Sequence, residues 1–262
     1  MKRRMVLFLI VLLGLGLLCG CNQLGLEVPD FSVESAVQEE NKVYHIGGNI
    51  ESLEIQIGAA NVFVKQADRF YVESNLKYLT VTEQSGLLKI QEERKLAVGD
   101  KTAMLTVYIP AGIRFESVRI ISGAAKLTAD ILEADNVKLE LGAGDAQFGL
   151  LNAFERAEIS GGGAGKITVS SGTLQDLELD MGVGALDLTV ALRGNSELSL
   201  GVGTSKVLLL GDPDAYTLDV EKGTGVVKVC GEKIDDAQRR GNGEHRVDIE
   251  GGLGTVEVDF QN

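Results

Sequence analysis

Apolar and polar residues alternate along most of the chain beyond residue 50, and short glycine-containing bends interrupt the alternation. Strict alternation on both sides of a bend predicts two half-buried β-strands that meet at a corner. Glycine suits such a corner because the bend needs a positive φ or a close approach of two backbones, which a Cβ would obstruct. Eight glycines open a Gly-x-Gly or Gly-x-Ala bend and are predicted corner residues: Gly58, Gly123, Gly142, Gly163, Gly182, Gly201, Gly223 and Gly252.

The bends recur with a nearly constant period. From Gly123 onward the corner glycines are 19, 21, 19, 19, 22 and 29 residues apart. Counted from the residue two after each corner glycine, position +4 is apolar in all eight repeats. Position −5 is apolar in every repeat except that of Gly163, which is one residue out of step. The additional glycine in the segment 161–163 predicts a β-bulge.

This period predicts an all-β fold of the β-solenoid class, with about 19–22 residues per coil. No stretch between the bends has helical periodicity, so each strand is expected to lie parallel to its equivalent in the next coil, about 4.8 Å away. The alternative is an antiparallel sandwich with glycine-rich hairpins. The near-constant register and the repeated inward positions favour the solenoid.

Two stretches depart from the repeat. Residues 70–95 predict an antiparallel meander that turns at residues 84–86, and a further strand ends at Pro110. We expect this segment to cover one end of the stack, where an open edge would invite aggregation. Residues 231–246 predict a polar loop that accounts for the spacing of 29 residues. Because the last predicted strand ends the sequence, no separate C-terminal cap is expected.

The N-terminus has the features of a secretory signal. Three basic residues, 2–4, precede an apolar run, 5–18, that is short for a bilayer span. The following Leu-Cys-Gly-Cys resembles a bacterial lipobox, in which the cysteine after the small residue receives a diacylglycerol and the preceding peptide is removed. The resemblance implies a signal peptide over residues 1–20 and a lipid attached to Cys21, which anchors the protein in the membrane. An ordinary signal peptide or a membrane anchor is the alternative.

The predicted domain organisation follows from these boundaries. Residues 21–42 are polar and acidic and predict a tether. Residues 43–112 hold the first repeat and the meander, and residues 113–262 hold the remaining solenoid repeats, continuous with 43–112 as one domain.

Charge and composition exclude several function classes. The formal net charge of −13 argues against nucleic-acid binding, which requires a basic patch. Three cysteines are too few for a disulfide scaffold, and two histidines leave little room for a His-rich metal site. Cleavage before Cys21 would leave Cys230 as the remaining free thiol, at an outward-facing position. No cofactor is predicted.

Acidic residues recur at positions −6 and −4, which face outward on the first strand of each repeat. In a parallel stack these carboxylates would lie one above another and repel. Such a ladder could hold divalent cations, since carboxylates are hard ligands; a solvated face without a bound metal is the favoured interpretation. The predicted acidic face comprises Glu140, Glu178, Asp180, Glu197, Asp219, Glu221, Asp248 and Glu250.

No catalytic residue is predicted. The segment 160–166 resembles a phosphate-binding loop but lacks its first glycine and its Ser or Thr, so no nucleotide is expected. Gly144-Asp145 does not recur with the nine-residue period of calcium-binding repeats. His45 has no evident nucleophile as partner, and His245 is expected to be solvated in the polar loop.

The lipobox, the Val-Tyr-Ile-Pro strand at 107–110 and units such as LELGAGDAQF, LDMGVGALDL and LSLGVGTSKV resemble a bacterial family. It is the extracytoplasmic β-strand-repeat domain known as a "putative adhesin" or toast-rack domain, and the resemblance covers about residues 43–262. It implies a right-handed, parallel β-helix-like fold, exposure at the cell surface and frequent association with envelope-stress signalling.

The predicted function is therefore non-enzymatic. We expect a lipid-anchored β-solenoid in the cell envelope, held on the outer leaflet of the plasma membrane, or on an outer membrane if the host has one. Its outer surface would bind an envelope or surface protein in adhesion or stress signalling. The alternative is a polysaccharide-binding or polysaccharide-cleaving β-helix protein, which the lack of Trp disfavours.

Overall fold

The computed structural model describes residues 37–93, 102–124 and 126–261. The predicted signal peptide, Cys21 and the tether up to residue 36 lie outside the described residues. Ser35–Asn262 form one unit. In the described part the chain is almost entirely β-structure, with one short 3-10 turn at Pro213–Ala215 and no α-helix.

The nineteen strands of the described residues belong to a single hydrogen-bonded sheet. In chain order they are β1 (Val37–His45), β2 (Ser52–Ile57), β3 (Asn61–Ala67), β4 (Tyr71–Leu76), β5 (Leu79–Gln84), β6 (Leu87–Glu92), β7 (Met104–Pro110), β8 (Phe115–Ser122), β9 (Leu127–Leu141), β10 (Ala146–Gly161), β11 (Gly165–Val169), β12 (Gly172–Gln175), β13 (Leu177–Arg193), β14 (Asn195–Leu210), β15 (Tyr216–Glu221), β16 (Val226–Val229), β17 (Glu232–Ile234), β18 (Gln238–Arg240) and β19 (His245–Gln261).

Equivalent strands of successive repeats pair in parallel, not antiparallel as in a hairpin sandwich. Through the middle of the sheet, β8 pairs with β9, β9 with β10, β10 with β11, β12 and β13, and β13 with β14. Leu179 of β13, for example, lies between Ile159 of β10 and Leu198 of β14. Paired residues are about 20 positions apart in the sequence, so each repeat pairs with the next.

The core consists of the inward rows that the alternation predicts. The apolar residues at positions −5 and +4 are all 2% exposed or less, which confirms the inward assignment. They form two rows: Ile55, Ile120, Leu139, Leu179, Leu198, Val220 and Ile249, and Val64, Ala129, Phe148, Val169, Leu188, Val207, Val229 and Val258.

The N-terminal end differs from the prediction in strand order. The antiparallel pair β5–β6 and its turn are present, with positive φ at Ser85 and Gly86. However, β6 and β7 also pair in parallel with the first repeat, β6 with β2 and β7 with β3. Beyond them, β4 pairs antiparallel with β7, and β1 pairs antiparallel with β4. Residues 37–42, predicted as tether, lie in β1 because their backbone pairs with β4.

The C-terminal end corrects two further expectations. The last strand, β19, lies between β14 and the pair β15 and β16, so the repeats are not arranged in sequence order there. The segment predicted as a polar loop contains β17 and β18, which pair antiparallel with β16 and β15. These two short strands cover the outer edge of the last coil, so this end does have a cap.

The additional residue that was predicted as a β-bulge at 161–163 is present, but it lies at the corner between two strands and not within one strand. β10 ends at Gly161, opposite Met181, and β11 begins at Gly165, opposite Gly184. Three residues therefore connect these strands where the neighbouring coil has two. The corner accommodates the additional residue, and the strands on either side keep their register.

Candidate interaction surface

The corner glycines stack directly on one another, and their lack of a side chain permits this contact. A Cβ built on Gly201 would collide with the carbonyl oxygens of Gly182 and Met181, and one built on Gly252 with that of Gly201. Gly182 is looser, since its Cβ would lie 3.2 Å from the carbonyl oxygen of Gly162. The close approach of consecutive backbones at this corner therefore excludes side chains at most positions of the row.

The middle residue of the bend is a large apolar residue and is exposed in three paired repeats. Val183, Val202 and Leu253 are 48%, 46% and 56% exposed. They are aligned in register across β13, β14 and β19. This row was not predicted from the sequence; its signal there is Val or Leu between two corner glycines, where the earlier repeats have Ala.

The predicted acidic residues face outward and form two rows. In the first, Glu178 is opposite Glu197, Glu197 is opposite Asp248, and Asp248 is opposite Asp219. The second row holds Asp180, Glu250 and Glu221. Ser199 separates Asp180 from Glu250 in this row. Glu140 lies on the far side of Ser160, away from the others.

Cations interrupt the acidic face toward the N-terminal end, a feature that was not predicted from the sequence. Arg119 pairs with Glu140 at 2.8 Å, and Lys138 pairs with Glu158 at 2.6 Å. Arg156 contacts Glu158 at 2.9 Å and the Glu178 carboxylate at 2.7 Å. Most of these pairs join adjacent coils. The signal was present in the sequence, because Arg119 and Lys138 occupy position −6 of their repeats.

These pairs shift the protonation equilibria of their members. Hydrogen bonds from Lys138 and then Arg156 lower the pKa of Glu158 below its usual value. The hydrogen bond to Glu158 raises the pKa of Arg156. In the other half of the face, Arg246 lies 3.0 Å from Asp248 and 2.9 Å from Asp219, and the hydrogen bond to Asp248 raises its pKa. Arg246 thus relieves part of the expected repulsion.

The described residues offer no evident ligand cavity or metal centre. No group of three Asp, Glu, His or Cys side chains among them is arranged to hold a metal ion. Two shallow depressions on the charged face enclose about 280 Å³ beside Arg119 and Arg156 and about 180 Å³ beside Glu178 and Asp180. The space at the glycine corner near Val202 is about 10 Å³, no more than one water occupies.

The remaining residues considered in the sequence lie apart from one another and form no common site among the described residues. The glycine-rich segment that resembles a phosphate-binding loop leads into the strand β11. Lys166 of this strand pairs with Asp187 at 3.3 Å. His45 is exposed on β1, while His245 begins β19 and contacts Arg193 at 2.6 Å, so its placement in a solvated loop is wrong. Cys230 is exposed in a turn with φ of 50°.

No helix among the described residues is long and apolar enough to cross a lipid bilayer. No protein-family model matches the chain, and no curated protein matches it.

Several solved structures resemble the fold at low sequence identity. A "putative cell adhesion protein" from Clostridium sporogenes is 12% identical, with a TM-score of 0.38, over 85% of this chain and 99% of that one. A "putative adhesin" from Bacteroides fragilis is 9% identical, with a TM-score of 0.42, over 84% and 96%. A "putative lipid binding protein" from Parabacteroides distasonis is 13% identical, with a TM-score of 0.40, over 86% and 98%. These values assign neither a family nor a function to this chain.

Proposed function

We propose that the protein is a non-enzymatic, lipid-anchored interaction module of the bacterial cell envelope. A lipid on Cys21 holds it at the extracytoplasmic surface, a short tether follows, and a right-handed β-solenoid presents its outer face to an envelope or surface protein. The observation that carries the proposal is the set of in-register outward rows, charged and apolar, on stacked parallel strands.

The stack suits this role because its repeats hold outward side chains in fixed rows. Parallel neighbours lie about 4.8 Å apart, so side chains from successive coils form a continuous surface. The inward rows fix the orientation of each outward residue, since a shift by one residue would expose the core. A partner would therefore meet a rigid array of side chains, which lowers the entropic cost of association.

The N-terminal sequence supports the anchoring part. The basic residues 2–4, the apolar run and Gly20 before Cys21 are the features that a lipobox requires. A diacylglycerol on Cys21 carries two acyl chains. Two chains would hold the protein stably in the membrane, whereas a single chain gives only marginal membrane binding. The tether up to β1 would then hold the folded part close to the bilayer.

Fractionation and labelling test the anchor. The protein would be expressed with a labelled fatty acid in a bacterial host, as the wild type and as the variants Cys21→Ser and Cys19→Ser. We expect the label and membrane association to persist in Cys19→Ser and to disappear in Cys21→Ser, which would be released or remain uncleaved. Label retained in Cys21→Ser would contradict the assignment.

A further inference from the structure

We propose that Val183, Val202 and Leu253, together with the carboxylates beside them, form a docking surface for a polypeptide segment in which Lys or Arg alternates with apolar residues. This inference rests on the proposed function as an interaction module and specifies its partner chemistry.

The apolar row is the centre of the surface. Its three side chains lie on adjacent coils and are each about half exposed. Only six large apolar residues among those described are so exposed, and these three are aligned in one row. Of the remaining three, Phe154 lies under the guanidinium of Arg114, 3.9 Å from its ring centroid. Among the described residues, no cation lies over the aligned row in this way.

Carboxylates flank the row on the strands that lead into it. Asp180 and Glu250 each precede the exposed apolar residue of their coil by three positions. Neither side chain forms an ion pair or side-chain hydrogen bond within the described part of the chain. Behind them, Glu197 faces Glu178 and Asp248 in register. Glu178 and Asp248 are paired with Arg156 and Arg246, so the unneutralised negative charge beside the apolar row is that of Asp180, Glu197 and Glu250.

The other half of the stack lacks both features. At the equivalent corner positions the coils carry the small residues Ala124 and Ala143. On the same outer face, Glu140 and Glu158 are neutralised by cations from neighbouring coils. Large exposed apolar residues and unpaired carboxylates therefore occur together in the coils formed by β13, β14 and β19. This coincidence locates the docking surface there.

Size and charge determine the occupant. Three half-exposed aliphatic side chains offer far less apolar surface than the roughly 800 Å² per partner of a stable protein–protein interface, so a second copy packed on this row alone would bind weakly. Anionic phospholipid would be repelled by the adjacent carboxylates. An extended basic segment fits the surface in both charge and size. Its cations complement the carboxylates, and three coils span about 10 Å, which is the length of three to four extended residues.

Fluorescence anisotropy with a labelled twelve-residue peptide of alternating Lys and Val tests the surface. The purified protein would be compared with the variant Val183→Ser/Val202→Ser/Leu253→Ser and with its corner control Ala124→Ser/Ala143→Ser. A second comparison sets Asp180→Asn/Glu250→Gln against Glu140→Gln/Glu158→Gln, which changes the net charge equally. Melting curves confirm that each variant is folded.

We expect the triple serine variant to weaken binding about tenfold or more, because it removes apolar contacts. The Asp180→Asn/Glu250→Gln variant should weaken binding several-fold and reduce its salt dependence, whereas both controls stay within about twofold of the wild type. Unchanged binding by the triple serine variant would overturn the proposal, as would an equal loss in the two charge variants. Retention on phosphatidylcholine vesicles that the triple variant abolishes would also overturn it, in favour of lipid.

These outcomes are independent of the anchor. Peptide binding uses purified protein, so a negative result leaves the lipid labelling of Cys21 unaffected. Failed labelling in turn leaves the docking surface intact and refutes only the anchored location.

Discussion

The stacking of the corner glycines predicts a graded response to alanine substitution along one row. Gly162, Gly182 and Gly201 lie in successive coils, and none of them has a strained positive φ. A Cβ would meet nothing within 4 Å at Gly162, a carbonyl oxygen at 3.2 Å at Gly182, and two overlapping carbonyl oxygens at Gly201. The three variants therefore differ in backbone contact, and a strained positive φ contributes to none of them.

The expected magnitudes follow from two opposing effects. Replacing Gly by Ala reduces the conformational entropy of the unfolded chain and stabilises the fold by about 0.4–1 kcal/mol where the side chain fits. Forcing a methyl group into a packed site costs about 1–3 kcal/mol. We expect Gly162→Ala to be neutral or slightly stabilising, Gly182→Ala to change the free energy of unfolding by less than about 1 kcal/mol, and Gly201→Ala to lower it by about 2 kcal/mol.

Thermal unfolding followed by circular dichroism measures the series. For a domain of this size, about 2 kcal/mol corresponds to a decrease in Tm of roughly 4–8 °C. The neighbouring variant Gly162→Ala is the matched control, because it makes the same chemical change at the same corner. If Gly201→Ala and Gly162→Ala melted within a degree of each other, the coils would not approach at this corner as the structure has them.

Four further predictions concern charge, the corner and the core. Gly184→Val combines a backbone collision with a positive φ of 144°, so its Tm should fall further than that of Gly201→Ala, and an equal Tm would remove the role of the dihedral angle. Glu197→Gln should raise Tm at 10 mM salt by relieving repulsion from Glu178 and Asp248, with a smaller gain at 150 mM; a lowered Tm would refute the stacked carboxylates. The pKa of Glu158 is lower in the folded state than its ordinary value, so the ionised side chain stabilises the fold above that ordinary value, and this stabilisation is lost as pH falls through the folded-state pKa. The variant Glu158→Gln should therefore lose less Tm between pH 6 and pH 3 than the wild type. Ile249→Ala should lower the free energy of unfolding by about 2–5 kcal/mol in urea titrations, since this 1%-exposed side chain lies between two parallel neighbours; a loss below 1 kcal/mol would contradict the insertion of β19.

The sequence was sufficient to predict the inward rows. Alternation with period two is set by the geometry of a strand, and burial of one face enforces it. Residues such as Leu139 and Val258 were therefore assigned correctly from pattern alone. The turn at Ser85 and Gly86 was equally local, because residues adjacent in sequence determine it.

The surface was harder to predict because its properties depend on residues one repeat apart. Whether Glu140 is neutralised depends on Arg119, 21 positions earlier, and on which coil lies beside it. The isolated motif shows an acidic residue at an outward position and nothing more. The exposed row of Val183, Val202 and Leu253 was overlooked for the same reason, since each valine or leucine is ordinary in isolation and becomes distinctive only when the coils align.

The period of the sequence could not predict the strand order at the two ends, for a more general reason. Every repeat carries the same inward and outward positions, so any repeat satisfies the core equally well in any slot. Hydrogen bonding at the edges distinguishes the slots, because an outermost coil must have its exposed backbone groups covered. At the N-terminal end, β4 pairs with the edge of β7, and β5 pairs with the edge of β6. At the C-terminal end, β17 pairs with β16, and β18 pairs with β15.

This arrangement makes β19 the strand that joins β15 and β16 to the rest of the sheet. On its other side, β14 offers it fifteen paired residues, from Asn195 opposite Arg246 to Leu210 opposite Gln261. Pairing segments so far apart in sequence carries the loop-closure cost that slows folding. Because the acidic face and the apolar row both pass through β19, the proposed docking surface is complete only after this strand has been inserted.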